Sequence, residues 1–289
     1  MDKGDITMKM HIMPVRRNLK FHVPDDTVLN WHDKGPGISQ FFNTLSLFFP
    51  EGERFFINSV RKYRDQIDDP ELQEAVRNFI GQEAMHGREH EDYNQKMVAA
   101  GLPVDKQEAI VTRLLSLIAR YLPNAMQLSA TVALEHLTAI LADVLLREPE
   151  LIDGSDPQYQ KLWHWHALEE TEHKAVAFDV FISAFGRGVK SWLLRAGGLV
   201  LATVIFFSLF YPFYVINMYK TGKLFSLKDW WTSFRFQWLK PGGLRRVIIP
   251  WLDWFKPGFH PWDHDNREFL AEMDSLIGDV DGYDKGNAA

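Results

Sequence analysis

Apolar and polar positions along most of the chain recur with the period of an α-helix, and no segment alternates convincingly with the period of a strand. The pairs Asp69-Pro70 and Asp156-Pro157 are typical of an N-cap followed by the first helical residue. The pattern predicts helices over residues 38–66, 69–100, 105–147 and 156–186. The first is expected to be kinked at FPEGE, and the third to be interrupted near Pro123. We therefore predict an all-α fold whose helices form two hairpins.

One segment, Ala196–Tyr219, contains no charged residue and is long enough to cross a bilayer as a helix. Pro212 lies inside it and is expected to bend it. A single span usually has its basic residues on one side, but here they flank both ends: Arg187, Lys190, Arg195, Lys220, Lys223 and Lys228. An in-plane or re-entrant helix at the cytoplasmic face therefore fits at least as well as a spanning helix. A buried core helix or a homodimer contact is the alternative.

The C-terminal part of the chain is rich in tryptophan among basic residues and prolines: Trp230, Trp231, Trp238, Trp251, Trp254 and Trp262. Amphipathic aromatic side chains beside Lys and Arg favour a membrane interface, and a lid packed on the helical body is compatible with the same pattern. The predicted organisation is an N-terminal arm (1–35), a ferritin-like four-helix bundle (36–188) and a hydrophobic helix with a Trp-rich, membrane-associated extension (189–289).

Composition narrows the chemistry. With 46% hydrophobic and 24% charged residues the chain is an ordinary folded protein, and its net charge of −6 gives no indication of nucleic-acid binding. The absence of cysteine excludes disulfides, thiolate metal sites and a cysteine nucleophile, so any metal must be held by His, Asp and Glu. The first residues lack the apolar stretch of a signal peptide, which predicts a cytoplasmic N-terminus.

Polar residues occupy one face of the fourth predicted helix, in HWHALEETEHK. His166, Glu170 and His173 are spaced by four and three residues, so they share a face where a globular helix normally places Leu or Val. The second predicted helix has the same Glu-x-x-His spacing at Glu83 and His86. Chance alone would give about 0.6 such matches in this chain, so two pairs are weak evidence by themselves, and the arrangement around them is stronger evidence.

Two further glutamates lie level with these pairs. If the first hairpin turns near residue 68, Glu53 and Glu83 are equally far from the turn, and a turn near residue 152 brings Glu135 level with Glu170. One lone Glu opposite one Glu-x-x-His in each hairpin is the ligand plan of a di-iron or di-manganese carboxylate bundle. Glu53 is favoured over Glu51 because its helix face is apolar, with Phe49, Phe56, Ile57 and Val60.

Glu135 likewise lies on an apolar face, which makes its burial costly unless a cation compensates the charge. Buried ion pairs or solvated glutamates are the alternative explanation of the set.

His166 is a candidate for a third imidazole ligand. The pattern His-x-x-x-Glu-x-x-His resembles the fourth-helix motif of the p-aminobenzoate-type N-oxygenases, and this resemblance implies that the first His is a metal ligand. A core histidine is the alternative for His166. His90 is a weaker candidate for the same purpose, and a structural interpretation is favoured for His90, His136 and His164.

The wider chain also resembles a bacterial family of predicted metal-dependent hydrolases. The matching pieces are FPEGERFF, GQEAMHGREH, ALEHLTAIL, HWHALEETEHKAVAFDV and FKPGFHPWD, spread over residues 48–263. This resemblance implies a metal site more firmly than it implies hydrolysis, because the family's activity is itself inferred.

Three functions follow as hypotheses. The leading one is an enzyme with two metal ions, iron or else manganese, that activates O2 to oxidise a small hydrophobic or lipid-like substrate, with an electron donor as partner. The second is a hydrolase that uses a metal-activated water. The third is a non-catalytic metal-binding membrane protein. In each case we expect a cytoplasmic protein at the inner face of the membrane, attached through residues 196–219 and the Trp-rich tail.

Overall fold

The structure is a computed structural model that describes residues 12–280, so the first eleven residues of the arm and the last nine of the extension lie outside it. The all-α prediction is confirmed, since the described residues contain helices and no strand. Their α-helices are α1 Pro36–Ser46, α2 Phe49–Arg61, α3 Pro70–Ala99, α4 Val104–Tyr121, α5 Asn124–Arg147, α6 Pro157–His173, α7 Val176–Phe185, α8 Val189–Lys220, α9 Leu227–Phe234, α10 Gly243–Asp253 and α11 Met273–Gly278.

The helix starts follow the expected capping chemistry. The carboxylate of Asp69 accepts hydrogen bonds from the backbone N–H groups of Glu71 and Leu72, and Asp156 caps α6 in the same way at Gln158. The proline that follows each Asp loses nothing at the first helical position, where the N–H would be unpaired. Both hairpins therefore begin their second helix where the sequence predicts.

Two predicted helices are broken differently from the expectation. The first separates into α1 and α2 at Leu47–Phe48, and it is not kinked at FPEGE. Pro50 lies in the first turn of α2, where proline is tolerated. The fourth ends at His173, and α7 continues after Lys174 and Ala175. The break near Pro123 is confirmed between α4 and α5.

Helices α2, α3, α5 and α6 form a four-helix bundle as two antiparallel hairpins, α2–α3 and α5–α6. A buried aliphatic and aromatic cluster that includes Phe79, Leu128 and Val180 fills one end of it. A second cluster with Tyr93, Trp165 and Leu168 fills the other end. Between these clusters the bundle holds polar side chains.

The N-terminal arm, from residue 12 to residue 35, covers α3 and α6. The Arg17 guanidinium forms ion pairs with Glu172 at 2.7 Å and with Glu169 at 3.2 Å, and the Phe21 N–H donates to Glu89 at 2.7 Å. The Trp31 ring stacks on Tyr159. The arm is thus bonded to the two helices that carry the Glu-x-x-His pairs.

Helix α8 packs along α5 and α1 with one side only. A Cβ at Gly198 would lie 2.2 Å from the Ser129 hydroxyl oxygen, so this close helix–helix approach needs glycine. The Tyr214 hydroxyl donates to the Gly37 carbonyl of α1. Both α5 and α8 are long and apolar enough to cross a membrane, but 67% of the α5 window is buried in the protein against 28% of the α8 window. The outer side of α8 is therefore exposed and apolar.

Candidate metal centre

All seven predicted ligand residues meet in the middle of the bundle. Each helix of the bundle contributes at least one of them, and none is more than 3% exposed: Glu53 from α2, Glu83 and His86 from α3, Glu135 from α5, and His166, Glu170 and His173 from α6. The level pairing of lone Glu and Glu-x-x-His in the two hairpins accounts for this convergence. The structure thus places these side chains at one site.

Six of these residues form two groups compact enough to hold an ion. One atom from each of Glu83, His86, Glu170 and His173 lies within 4.8 Å of the others. Glu53, His86 and His166 form the second group under the same limit, so His86 belongs to both. Glu135 is in neither group.

Many donor atoms at this site have no hydrogen-bond partner among the described residues. Both carboxylate oxygens of Glu53 and Glu135 are buried and unpaired, as is Nδ1 of His86. His173 Nδ1 lies 3.0 Å from Glu83 Oε1, an ion pair without hydrogen-bond geometry. Unpaired buried carboxylates are costly, and native proteins rarely keep them without a compensating group. Four ionised carboxylates would balance the charge of two divalent cations, so the residues present fit a pair of metal ions.

Burial and mutual repulsion shape the charges of the centre. Burial, together with the neighbouring carboxylates, raises the pKa of Glu53, Glu83 and Glu135 above the ordinary value for a glutamate. Burial also acts to raise the pKa of Glu170, but contact with His173 outweighs burial and lowers that pKa. Burial and the other imidazoles hold the pKa of His86 well below its usual range, so this ring is neutral and able to bind a cation.

Glu169 orients His86. The Nε2 atom of His86 lies 3.1 Å from Glu169 Oε2, which leaves Nδ1 facing the centre. Burial raises the pKa of Glu169 to about 8, and Arg17 acts against this shift. Above that pKa Glu169 is ionised, and the ring then donates from Nε2 and presents the lone pair of Nδ1. A carboxylate behind a histidine commonly fixes a metal-binding tautomer in this way.

A hydrogen-bonded chain orients His166. The Asn94 amide nitrogen donates to a carboxylate oxygen of Glu108, so its oxygen accepts from the Ser46 hydroxyl at 2.7 Å. The Ser46 oxygen must then accept from Nδ1 of His90 at 2.8 Å, and Nε2 of His90 accepts from Nδ1 of His166 at 2.8 Å. The remaining lone pair of His166, on Nε2, faces Glu170 Oε1 at 3.1 Å. A lone pair on Nε2 can bind a metal ion but cannot donate a hydrogen bond to the Glu170 carboxylate, so this tautomer suits a metal ligand.

The other histidines have contacts that agree with structural roles. His90 orients His166, His136 stacks on Trp254, and His164 lies at the surface beside Glu272. None of the three belongs to either compact group.

The sequence interpretation missed four residues that support the centre. Glu169 and Glu172 were visible within the quoted motif but lie on other faces of α6, and Arg17 comes from a distant segment. The Thr138 hydroxyl donates to Glu170 Oε2 at 2.7 Å. Its position three residues after Glu135, on the same helix face, is a signal that could have identified it.

Helices α2 and α3 approach each other closely at Gly87, the residue after His86. A Cβ at this position would lie 3.1 Å from Glu53 Oε2, closer than an ordinary van der Waals contact. Glycine inside a helix costs about 1 kcal/mol relative to alanine. The space for the Glu53 carboxylate explains why glycine is found here.

A large apolar cavity of about 730 Å³ ends at the centre. Glu53, His166 and Glu170 line its inner end. Its wall is mostly Leu, Ile, Val and Phe, and the lining residues with hydroxyl or amide groups are Ser129, Thr138, Thr203 and Gln237, each already hydrogen-bonded within the protein. Several lining side chains are also exposed and so mark the mouth: Met126, Leu193, Leu201, Trp238 and Ile248.

Comparison with known proteins identifies the family. A family model described as predicted metal-dependent hydrolase matches residues 15–265, which include the whole bundle and most of the extension. No curated protein and no solved structure matches the chain. The chain belongs to the predicted metal-dependent hydrolase family.

Proposed function

We propose that this member of the predicted metal-dependent hydrolase family is a di-metal enzyme that uses O2 to oxidise a hydrophobic, chain-like molecule. The observation that carries the proposal is the apolar cavity, which leads from the surface to a buried cluster of carboxylates and imidazoles. A pocket of this kind is the default location of a substrate site.

The proposed ligands are the seven predicted residues, and iron or manganese is the proposed metal. Carboxylate and imidazole donors without thiolate suit these ions. The unpaired oxygens of Glu53 and Glu135 support this assignment, because a cation would satisfy them. Glu83 and Glu170 share one compact group with His86 and His173 and would hold an ion together. His166 is proposed as the extra imidazole that the N-oxygenase resemblance implies.

The protein's own residues have defined tasks in this proposal. Glu169 and the Ser46–His90 pair hold two imidazole rings with a lone pair toward the centre, and Thr138 fixes one oxygen of Glu170. The cavity wall binds the apolar chain and excludes water from the inner end. Bound ions would supply the redox chemistry with O2. Oxygenation of a C–H bond places one oxygen atom in the product and reduces the other to water, so an external donor must provide two electrons and the solvent two protons.

Hydrolysis is the second candidate, and the family description favours it. A metal-activated water would attack an ester or amide of a long apolar chain, with the chain in the same cavity. We rank oxidation first because a mostly apolar wall provides few free polar groups to hold an ester or amide.

Metal analysis tests the site. Protein reconstituted with Fe(II) or Mn(II) should contain two ions per chain. Glu83→Gln and Glu170→Gln should lose most of the metal, because each removes a carboxylate of the four-residue compact group. Glu91→Gln, an exposed change on α3, is the matched control and should keep full occupancy. At most trace metal in the reconstituted wild-type protein would refute the proposal.

Isotope labelling separates the two reactions. The loaded enzyme is incubated with a reductant and a long-chain fatty acid or its aryl ester, with the heavy-oxygen label either in O2 or in water. Oxygenation transfers the label from O2 into the fatty acid, whereas hydrolysis transfers it from water into the released acid. Label from water alone would replace oxidation by hydrolysis as the function.

A further inference from the structure

The outer surface of α8 is apolar along its whole length, unlike that of a helix at the surface of a water-soluble protein. The outward residues follow helical spacing and include no charged side chain: Leu193, Gly197, Val200, Leu201, Val204, Ser208, Pro212, Val215, Ile216 and Tyr219. We call this row, with the exposed apolar side chains that follow α8, the apolar face. Those side chains are Phe225, Leu227, Trp231, Phe234, Trp238, Leu239, Ile248, Ile249 and Leu252. Single exposed apolar residues are common, but so many of them, with members of both sets lining one cavity mouth, mark an interaction site.

The same part of the chain is strongly basic. Residues 186–256 contain eleven Lys and Arg against two Asp, a net charge of +9 in a chain whose total is −6. Lys190 and Lys220 stand at the two ends of the apolar row on α8, and Arg235 and Lys240 are exposed beside Trp238. Tryptophan and basic side chains around an apolar surface match the headgroup region of an anionic membrane.

From these observations we infer that the apolar face docks this protein onto the surface of an anionic lipid bilayer, with α8 lying in the membrane plane and the cavity mouth inside the docked area. The mouth residues Leu201, Trp238 and Ile248 belong both to the apolar face and to the cavity lining. An apolar substrate could therefore pass from the bilayer to the centre without crossing water. This last step rests on the proposed function, whereas docking does not.

The packing of α8 argues for an in-plane helix and against a spanning one. Its inner side is bonded to the bundle through Gly198 at Ser129 and through Tyr214 at the Gly37 carbonyl. A spanning α8 would need lipid on all sides or would draw α5, which carries Glu135, into the bilayer. A helix at the membrane surface can place its apolar outer side in the lipid and keep its inner side bonded to the protein, which is the arrangement that α8 requires.

Charge argues against a second copy of the chain as the occupant. In a symmetric dimer the apolar faces of two copies would meet. Two segments 186–256, each of net charge +9, would then repel each other. Anionic lipid headgroups neutralise the same charge, so the membrane is the complementary partner.

Co-sedimentation of the full chain with vesicles tests the docking. We expect binding to phosphatidylcholine vesicles that contain phosphatidylglycerol, weaker binding to phosphatidylcholine alone, and release by salt. Ile249→Glu, at a residue 65% exposed and outside the cavity lining, should weaken binding about tenfold or more, because an isoleucine side chain no longer inserts. Gln95→Glu, an exposed change on α3 with the same change of charge, is the matched control and should bind normally.

Folded wild-type protein that stays in the supernatant with every vesicle would overturn the inference, and so would equal binding by Ile249→Glu. A stable dimer that Ile249→Glu dissociates, without vesicle binding, would assign the apolar face to a second copy instead. These measurements need neither bound metal nor turnover, so their failure is distinguishable from failure of the proposed function.

Labelling distinguishes an in-plane from a spanning helix. Because the chain has no cysteine, Lys190→Cys and Lys220→Cys each create a single thiol at one end of α8. In protein bound to sealed vesicles, a membrane-impermeant maleimide added outside should label both ends to the same extent. Protection of one end alone would overturn the in-plane orientation.

Discussion

Replacing Gly87 by alanine tests whether Glu53 is held in place by a bound cation. The new Cβ would lie 3.1 Å from Glu53 Oε2, whereas ordinary contacts lie at 3.4–4 Å, so the carboxylate must move by a few tenths of an ångström. In the metal-free protein this is easy, because both oxygens of Glu53 are unpaired. In the metal-bound protein it is costly, because metal–ligand distances vary by only about 0.2 Å. The substitution therefore penalises the bound state selectively.

The expected loss of metal affinity is about tenfold to a hundredfold, the range for a change that displaces a ligand through its surroundings. The added stabilisation by saturating metal should fall by about 1.4–2.7 kcal/mol. The metal-free protein should not lose stability, because alanine is favoured over glycine in a helix by about 1 kcal/mol. Competition with a chelator measures the affinity, and urea unfolding with and without Fe(II) or Mn(II) measures the stability.

Gly197→Ala is the matched control, since it makes the same change inside α8 with no atom within 4 Å of the new Cβ. It should gain helix stability and keep wild-type metal affinity. If Gly87→Ala binds metal as tightly as the wild-type protein while the control behaves as expected, Glu53 does not remain beside Gly87 in the loaded centre.

Three further predictions concern the same region. His166→Ala should still bind metal, but its optical spectra after the Fe(II) form is exposed to air should differ from those of the wild type, whereas His173→Ala should lose metal. Unchanged spectra in His166→Ala would show that His166 is not a ligand. Arg17→Met should lower the free energy of unfolding of the metal-free protein, measured in urea, by about 3–5 kcal/mol, because the buried carboxylates of Glu169 and Glu172 lose their cationic partner. Arg16→Met, at an exposed position, is the control and should stay near wild type. Glu53, Glu83 and Glu135, whose pKa values are raised, bind more protons in the folded metal-free protein than in the unfolded chain, so the stability of the metal-free protein should fall as pH rises. A bound cation displaces these protons, so metal affinity should increase as pH rises. The difference in Tm between loaded and metal-free protein should thus widen from about pH 5 to about pH 8, and a constant difference would contradict the assignment of the pKa shifts.

The bundle and the positions of the site residues could be predicted because their signals are local. Periodicity separated Glu53, which is 1% exposed, from the half-buried Glu51, and the Asp-Pro caps set the register of both hairpins. Equal distances from the two turns then placed the glutamates at one height. These inferences need only helix geometry and short loops.

The remaining features depend on contacts between distant segments. The break after His173 has no Gly or Pro to announce it, and Lys174, in the gap, is bonded to the His264 carbonyl and to Asn266 of the extension. The pairing of Arg17 with Glu169 joins residues 152 positions apart. The cavity arises where four or more elements fail to fill the space between them, which no single helix pattern encodes.

The apolar wall of the cavity also has a consequence for turnover. In the proposed reaction the product gains a hydroxyl or a carboxylate, and an unpaired hydroxyl against a mostly apolar wall costs about 1–3 kcal/mol. The same cavity that retains the substrate should therefore hold its product roughly ten to a hundred times more weakly. Product inhibition should therefore be slight, because the product, being more polar than the substrate, leaves the cavity more readily.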